Sequence, residues 1–234
     1  MNNLIITGAT KGMGRAIAKA FAIQGLNMAL CARSYAELSL FQEELQQLNP
    51  DIKVIIRATD VSVKEEVLAF AGYAEQELGF ISVIVNNVGI YEPSSILDDE
   101  DDTFQKLIGV NLMPAYELYR YFGKTMMAAG KGHIFTICSV AAINPVVQAG
   151  TYTVTKFALH GLTKVMRLEM QEYGVKVTNI LPGSTLTESW SDTSLSADKF
   201  VSPDDIASAI ICAYNMSPGA NVDEIRVTPV SGQL

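Results

Sequence analysis

Short apolar runs alternate with longer stretches of helical periodicity along the whole chain. The first run is the β-branched segment NLIIT, and the stretch after it, MGRAIAKAFAIQ, has the spacing of a helix that ends at Gly25. Later apolar runs are NMALCA, KVIIRA, ISVIVNN, HIFTICS, VKVTNIL and DEIRVTPV, and Pro229 indicates that the last strand ends there or lies at an edge. Six predicted helices separate these seven strands, and one of them is a long helix from about Asp99 to Ala129.

This alternation predicts an α/β fold with a doubly wound, seven-stranded parallel sheet that carries helices on both faces. Strands that are buried on both faces are continuously apolar, as VIV and IFTI are here. No linker and no repeat interrupts the pattern, so residues 1–234 are expected to form a single domain.

Composition narrows the classes of function. The net charge of −8 argues against nucleic-acid binding, for which a basic patch is the usual footprint. Cys31, Cys138 and Cys212 stand far apart in apolar runs and are predicted to be buried, reduced thiols of a cytoplasmic protein. Neither a signal peptide nor a transmembrane helix is predicted. His133 and His160 lack acidic or cysteine neighbours in the sequence, so no metal site is expected.

A glycine-rich loop, TGATKGMG, directly follows the first strand and opens the first helix. Its G-x-x-x-G-x-G spacing permits a tight turn, and the helix N-terminus offers free N–H groups to a pyrophosphate. The alternative is a plain turn with close helix–strand packing, which the position in a strand–helix–strand unit disfavours. The predicted cofactor-binding residues of this loop are Gly8, Thr10, Lys11, Gly12, Met13 and Gly14.

The end of the second strand favours NADP(H) over NAD(H). An NAD site places an acidic residue there for the ribose 2′-hydroxyl, but no acid occurs before Glu37. Arg33 lies just past the strand and Lys11 lies in the glycine loop, and two cations suit a 2′-phosphate. The alternative is that Arg33 is an ordinary exposed residue.

The segment YTVTK places Tyr152 four residues before Lys156, on one face of a helix. An ammonium close to a phenol stabilises the phenolate, so the pair can exchange a proton with a carbonyl oxygen. Ser139 lies at the C-terminal end of the fifth strand, where open α/β sheets bind ligands, and can hold the substrate oxygen. Asn111 falls within the predicted long helix. The structural alternatives are an amphipathic-helix tyrosine, a helix-capping serine and a buried hydrogen-bonding asparagine.

The chain resembles the short-chain dehydrogenase/reductase family over essentially its whole length. Val88 is a minor departure, since family members often have alanine there. The motifs that carry the resemblance, in order, are TGATKGMG, DV at 60–61, NNVG at 86–89, Asn111 in GVNL, Ser139 in ICSVAA, YTVTK and PGSTLT at 182–187.

The resemblance implies a Rossmann-type domain and a role for each matching residue. Asp60 and Val61 are expected at the adenine, Asn87 and Gly89 along the adenosine ribose. The implied catalytic tetrad is Asn111, Ser139, Tyr152 and Lys156. Beyond the glycine loop, the expected cofactor contacts are Arg33, Asp60, Val61, Asn87, Gly89, Tyr152, Lys156, Pro182, Gly183, and, near the nicotinamide amide, Thr185 and Thr187.

The segment 184–201 is predicted to be a mobile lid over the substrate, because it is polar and follows the sixth strand. Trp190 is its one large apolar group that could cover a bound ring, and the alternative for it is simple packing under a loop. The expected substrate contacts are therefore Ser139, Tyr152 and Trp190.

The predicted activity is reduction of a ketone by NADP(H), with Tyr152 as proton donor. The stretches GHIFTICSVAA, PGSTLTESW and DEIRVTPVSGQL are similar to bacterial sepiapterin-reductase-like members of the family. The alternatives are a 3-oxoacyl carrier-protein reductase and a non-catalytic NADP(H)-sensing regulator. The family resemblance further implies a homodimer or homotetramer, paired through the helices around 100–129 and 152–173.

Overall fold

The protein is described by a computed structural model, which covers residues 2–191 and 193–233. Its centre is a seven-stranded parallel sheet with the strand order β3-β2-β1-β4-β5-β6-β7. The predicted fold is therefore confirmed, and the order reverses between β1 and β4, where such sheets form a ligand-binding crevice. The strands are β1 (Asn3–Thr7), β2 (Asn27–Ala32), β3 (Val54–Ala58), β4 (Val83–Asn86), β5 (Gly132–Ile137), β6 (Val175–Pro182) and β7 (Glu224–Val227).

Helices cover both faces of the sheet. Leu4 and Ile6 of β1 pack with α1, α2 and α7, whereas Ile5 between them packs with α3, α5 and α6 on the other face. This alternation follows from the period of two in a strand and buries the sheet on both sides. The helices are α1 (Gly12–Ile23), α2 (Tyr35–Leu48), α3 (Lys64–Leu78), α4 (Thr103–Asn111), α5 (Met113–Ala129), α6 (Gly150–Met170) and α7 (Pro203–Tyr214).

The prediction of one long helix from Asp99 to Ala129 is wrong. The chain forms two helices that meet at Leu112, whose φ of −121° and ψ of −51° depart from helical values. Pro114 lies in the first turn of α5, where its missing N–H and its ring prevent a continuous helix through this point. Asn111 therefore ends α4 instead of lying inside a helix, and this places its side chain at a junction.

The ends of the other helices follow the sequence signals. Gly25 and Gly79, with φ of +77° and +76°, follow α1 and α3 in a conformation that favours glycine. At the start of α7, Ser202 accepts a hydrogen bond from Asp204 N at 3.2 Å, and its own N–H donates to Asp205 at 3.1 Å. This reciprocal cap is the arrangement that the segment SPDD predicts.

One expectation about the cysteines needs correction. Cys31 and Cys138 are buried, but Cys212 is exposed, because α7 turns that position away from the core. His160 has no acidic neighbour in the sequence, and its Nε2 lies 2.7 Å from Glu224 Oε1 of the distant strand β7. Burial lowers the pKa of His133 to about 3, so this ring is neutral and hydrogen-bonds Thr178 Oγ1 at 2.8 Å.

Across the residues that the structure covers, no helix is both long and apolar enough to cross a membrane.

Candidate active site

The candidate residues from distant parts of the chain gather at one edge of the sheet. Gly8 follows β1, Arg33 follows β2, Asn87 follows β4 and Ser139 follows β5. Because all strands are parallel, these positions share the C-terminal edge, where the order reversal opens a crevice.

The glycine loop is folded back tightly on itself. Gly8 has a φ of +66°, and its N–H donates to Cys31 O of β2 at 3.0 Å. At Gly14 a Cβ atom would lie 2.1 Å from Gly8 O, so no larger residue fits there. Asn87 fixes the loop from the side, since its Nδ2 donates to Thr7 O at 2.8 Å and to Gly8 O at 2.9 Å. The end of β2 and the segment that follows β4 thus both contact the glycine loop, at the end of the crevice where the sequence predicts them.

The N-terminus of α1 presents backbone N–H groups suited to an anion, and the Glu188 carboxylate lies nearby, since a Cβ atom at Gly12 would be 3.7 Å from its Oε2. Lys11 precedes the helix without forming a side-chain cap, and the first turn, which begins at Gly12, contains no acidic residue. The N–H groups of that turn have no intrahelical acceptor, and the helix dipole favours a negative group beside them. This loop and helix end therefore fit a dinucleotide pyrophosphate.

Asn111 joins the loop after β4 to helix α6. Its Oδ1 accepts from Ile90 N at 2.8 Å, while its Nδ2 donates to Ile90 O at 3.0 Å and to Thr155 Oγ1 at 3.1 Å. Asn111 is only 2% exposed, so these bonds replace solvent entirely. The reading of Asn111 as a buried hydrogen-bonding residue is thus correct, and the bonds place it beside the YTVTK helix.

Lys156 lies in the same buried cluster. Its side chain is buried, and Nζ donates to Ile137 O at 3.4 Å. A Cβ atom at Gly89 would come within 3.2 Å of Nζ and 3.5 Å of Asn111 Oδ1, so a larger residue there would crowd the ammonium. Cys138 donates its S–H to Lys156 O at 3.3 Å, and burial raises the pKa of that thiol to about 11, which keeps it protonated.

Tyr152 lies one helical turn before Lys156, and Lys156 Nζ is 5.6 Å from the centre of its ring. A residue that the sequence did not indicate, Tyr91, packs its ring edge-on against Tyr152 at a centroid distance of 5.0 Å. Burial, and to a lesser degree Tyr152, raises the pKa of Tyr91, so this neighbour stays a neutral phenol. No sequence signal marks Tyr91, because it comes from an irregular loop after β4.

Ser139 is the second residue after β5 and precedes a short 3₁₀ turn at Val140–Ala142. Its Oγ accepts a hydrogen bond from Ala141 N at 3.0 Å, so it does act as a cap. A hydroxyl that accepts one hydrogen bond retains its own proton as a donor. The capping contact therefore orients the hydroxyl and leaves it able to hold a substrate oxygen.

Exposed charges surround the other end of the crevice. Lys11 Nζ pairs with Glu37 Oε1 at 3.2 Å, with the side chains 56% and 43% exposed. Arg33 is exposed and forms no ion pair with any residue that the structure describes. Hydrogen bonds from Ser62, and after them the charge of Arg33, lower the pKa of Asp60. Glu37 is thus a further charged residue of this corner that the sequence analysis did not include.

Val61, by contrast, is largely buried and packs with the core on the α3 side. Asp60 accepts from Ser62 N at 2.9 Å and from Ser62 Oγ at 2.7 Å, which fixes the turn after β3.

The segment after β6 is anchored at both ends. Thr185 is buried and pairs with Val201, and Leu186 N donates to Val201 O at 2.9 Å. Trp190 packs edge-on against Phe200 at a centroid distance of 5.0 Å, as in its alternative interpretation. Thr187 reaches the glycine loop, because a Cβ atom at Gly12 would lie 3.1 Å from its Cγ2. Asp192 of this segment lies outside the described residues.

Comparison with known proteins agrees with this geometry. The family model for short chain dehydrogenase matches residues 2–197. The chain therefore belongs to the short-chain dehydrogenase family of oxidoreductases, as the motifs indicated. A relative from Staphylococcus saprophyticus, named only as an uncharacterized oxidoreductase, is 30% identical over 97% of this chain and 96% of its own. A relative of the same description from Staphylococcus aureus is 32% identical over the same shares.

Solved structures of the same fold carry cofactors. An alcohol dehydrogenase from the archaeon Thermococcus sibiricus, complexed with 5-hydroxy-NADP, is 27% identical with a TM-score of 0.91 and covers 100% of this chain and 99% of its own. L-sorbose reductase from Gluconobacter frateurii, complexed with NADPH and L-sorbose, is 26% identical with a TM-score of 0.91 and covers 100% and 96%.

Proposed function

We propose that the protein is an NADP(H)-dependent oxidoreductase that reduces a ketone to an alcohol. The observations that support the proposal are the bond from Asn111 to Thr155 on the helix of Tyr152 and Lys156, and the bond from Lys156 Nζ to Ile137 O. Ile137 lies two residues before Ser139, at the sheet edge that also carries the glycine loop. NADP or NADPH is bound by structures of 26–29% identity that match nearly the whole chain, which supports the choice of cofactor.

The chain's own residues fit the cofactor along the crevice. The N–H groups at the start of α1 are suited to the pyrophosphate, and Arg33 and Lys11 to a 2′-phosphate. Thr185 and Thr187 are proposed to lie near the nicotinamide. When bound, the reduced nicotinamide supplies the hydride.

The protein's contribution is to orient the ketone and to supply a proton. Ser139 Oγ donates a hydrogen bond to the ketone oxygen, and Tyr152 donates its phenolic proton to the same oxygen. The ammonium of Lys156 stabilises the phenolate that remains on Tyr152. Asn111 keeps the Ile90 loop and α6 together, so that Lys156 and Tyr152 retain their geometry.

For the substrate, we compare two kinds of ketone and one alternative without turnover. The resemblance to sepiapterin-reductase-like sequences suggests a pteridine side-chain ketone, and the rival is a 3-oxoacyl group on a carrier protein. Carrier proteins are acidic, and a net charge of −8 does not attract them without a local basic surface. A sensor of NADP(H) without turnover is the alternative from another class, and the complete set of four catalytic side chains argues against it.

We also propose that the protein is a homodimer or homotetramer of the cytoplasm. The support for assembly is a set of exposed apolar side chains on the two helices that the family pairs across two-fold axes. The support for the compartment is that Cys31, Cys138 and Cys212 are all free thiols. The exposed apolar side chains on α5 and α6 are Met113, Tyr116, Val154, Phe157, Val165 and Leu168.

The test is a panel of ketones assayed with NADPH and with NADH, comprising sepiapterin, a β-ketoacyl thioester and simple diketones. Oxidation of NADPH that depends on at least one ketone is the expected result. NADPH binding without turnover of any ketone would instead support the sensor, and a preference for NADH would contradict the cofactor assignment.

A further inference from the structure

A cavity outside the predicted site residues lies near the proposed reaction centre. It has a volume of about 190 Å³ and separates the loop after β5 from the end of β7 and the C-terminal segment. Val140 belongs to the motif ICSVAA, and four other lining residues lie in the C-terminal stretch DEIRVTPVSGQL. The residues that line it are Val140, Asn144, Arg226, Thr228, Gly232 and Gln233.

The position of this cavity connects it to the proposed chemistry. Val140, in one wall, directly follows Ser139, so their Cα atoms are only about 3.8 Å apart. In another wall, Gln233 Oε1 accepts from Ser184 N at 3.0 Å, and Gly183 N donates to Val227 O at 2.8 Å. The cavity therefore lies between the proposed ketone-binding serine and the loop proposed to contact the nicotinamide.

Arg226 gives the cavity a positive charge. It lies opposite Leu181 of the neighbouring strand β6. Ile225 and Val227, on either side of it, pack on the face of the sheet that α1 and α7 cover. Because side chains alternate along a strand, Arg226 is directed to the other face. Within residues 2–191 and 193–233, its guanidinium forms no hydrogen bond and no ion pair, and no carboxylate lines the cavity. A guanidinium without an anion partner among the described residues is thus exposed in a cavity whose wall includes Val140, the residue after Ser139.

The uncharged groups in the cavity add donors to that charge. The side chains of Asn144 and Thr228 make no hydrogen bonds to other described residues, although both line the cavity. The Oε1 atom of Gln233 is already used by Ser184, which leaves its amide N–H groups as donors. One guanidinium with amide and hydroxyl donors matches an oxyanion such as a carboxylate or phosphate.

We infer that this cavity binds an anionic group of the substrate, so that the preferred substrates are small ketones that also carry a carboxylate or a phosphate. The inference rests on the proposed function, because it takes the reacting carbonyl to lie at Ser139. A neutral pteridine ketone and a carrier-bound thioester have no such group beside the ketone. A preference of the enzyme for either of these two substrates would therefore count against the anion site.

The test compares matched anionic and neutral ketones with NADPH. One pair is a short oxo acid and its methyl ester, and the other is dihydroxyacetone phosphate and dihydroxyacetone, so that the two arms separate carboxylate from phosphate. The measured quantity is the ratio of kcat/KM for the anionic and the neutral member. Wild-type protein is expected to favour the anionic member in at least one arm.

The decisive variant is Arg226→Gln, and the matched control is Lys131→Gln. Lys131 precedes β5 and therefore lies at the opposite edge of the sheet, so its loss changes the net charge equally but leaves the cavity intact. Hydrogen bonds to charged groups contribute about 1.5–3 kcal/mol, so Arg226→Gln should lower the ratio by about ten- to a hundredfold. Lys131→Gln should not change the ratio. Arg226→Lys, which keeps the charge without the planar fork, should give an intermediate value.

The outcomes separate this inference from the proposed function. If neutral ketones are reduced and the ratio is the same in wild type and Arg226→Gln, the anion site is overturned while the reductase activity stands. If no ketone is reduced, the proposed function fails, and the site is judged by binding of butyrate and of inorganic phosphate to the NADP-loaded protein. Binding that weakens in Arg226→Gln but not in Lys131→Gln supports the site, and equal binding in all three proteins overturns it.

Discussion

The two ends of the candidate active site are built in opposite ways. At the catalytic end, Asn111 and Lys156 are 2% and 4% exposed and hydrogen-bond backbone groups of other elements. At the other end, Lys11 and Glu37 pair with side chains 56% and 43% exposed, and Arg33 is exposed to solvent. The proposed chemistry would therefore depend on packed residues, whereas the proposed selection of the cofactor would depend on charges in water.

This difference sets the size and the salt dependence of each effect. A buried group that loses its partner costs about 1–3 kcal/mol, because water cannot replace the lost bond. An exposed ion pair contributes only about 0–1 kcal/mol, a hydrogen bond from an exposed cation to a bound phosphate about 1.5–3 kcal/mol, and both are screened by salt. Changes at the catalytic end should consequently be large and insensitive to salt, and changes at the charged corner should be smaller and sensitive to it.

The largest effect is expected for Tyr152→Phe. Removing the proton donor should lower kcat by about 10²–10⁴-fold, while the affinity for NADPH is largely retained. Steady-state assays and cofactor titration measure the two quantities. Tyr91→Phe removes a neighbouring phenol that is held neutral, and its cost should be much smaller. A Tyr152→Phe protein within tenfold of wild type would disprove the assigned role.

The next effect concerns the junction at Asn111. Asn111→Leu leaves the partly buried N–H and C=O of Ile90 without this partner, and each should lower the free energy of unfolding by up to about 1–3 kcal/mol. Thr155→Val removes only the contact to the helix and should cost less. Denaturant unfolding and kcat of both variants test this, and the result should not change with salt. Equal stability of Asn111→Leu and wild type would contradict the role of the junction.

Arg33→Ala probes the charged corner. Loss of a charged hydrogen bond of about 1.5–3 kcal/mol should reduce the preference for NADPH over NADH by about ten- to a hundredfold. NADH serves as the internal control, because it lacks the 2′-phosphate, and its KM should stay almost unchanged. The ratio of kcat/KM for the two cofactors is the measurement, made at low salt. A ratio near one in wild type, or an unaltered ratio in the variant, would refute the assignment.

The smallest effect is expected for Glu37→Gln. Because Glu37 now pairs with Lys11, its neutralisation should free the ammonium for a 2′-phosphate and strengthen NADPH binding by up to about fivefold. Glu43→Gln on the same helix changes the net charge equally without touching Lys11 and is the matched control. The gain should disappear at high salt. Weaker NADPH binding in Glu37→Gln would show that the carboxylate assists the cofactor.

Several features of the fold and site could be predicted because their signals are local. Apolar runs such as NLIIT, the glycines of the first loop and the spacing of Tyr152 and Lys156 each constrain a few consecutive residues. The break at Leu112 also has a local cause, Pro114, but the long helical pattern around Pro114 led to the prediction of one continuous helix. The exposure of Cys212 could not be predicted from its apolar neighbours, because it depends on which face of α7 packs against the sheet.

The sequence by itself determined the parallel α/β class, the family and the residues of the proposed chemistry, because each of these follows from short-range periodicity and motif order. Only the tertiary structure decided that Glu37 pairs with Lys11, that Tyr91 packs on Tyr152 and that Arg226 lines a cavity beside Ser139. Tyr91 and Arg226 come from an irregular loop and an edge strand, and they reach the site through strand order and loop conformation. Such contacts join residues far apart in the chain, and no local pattern encodes them.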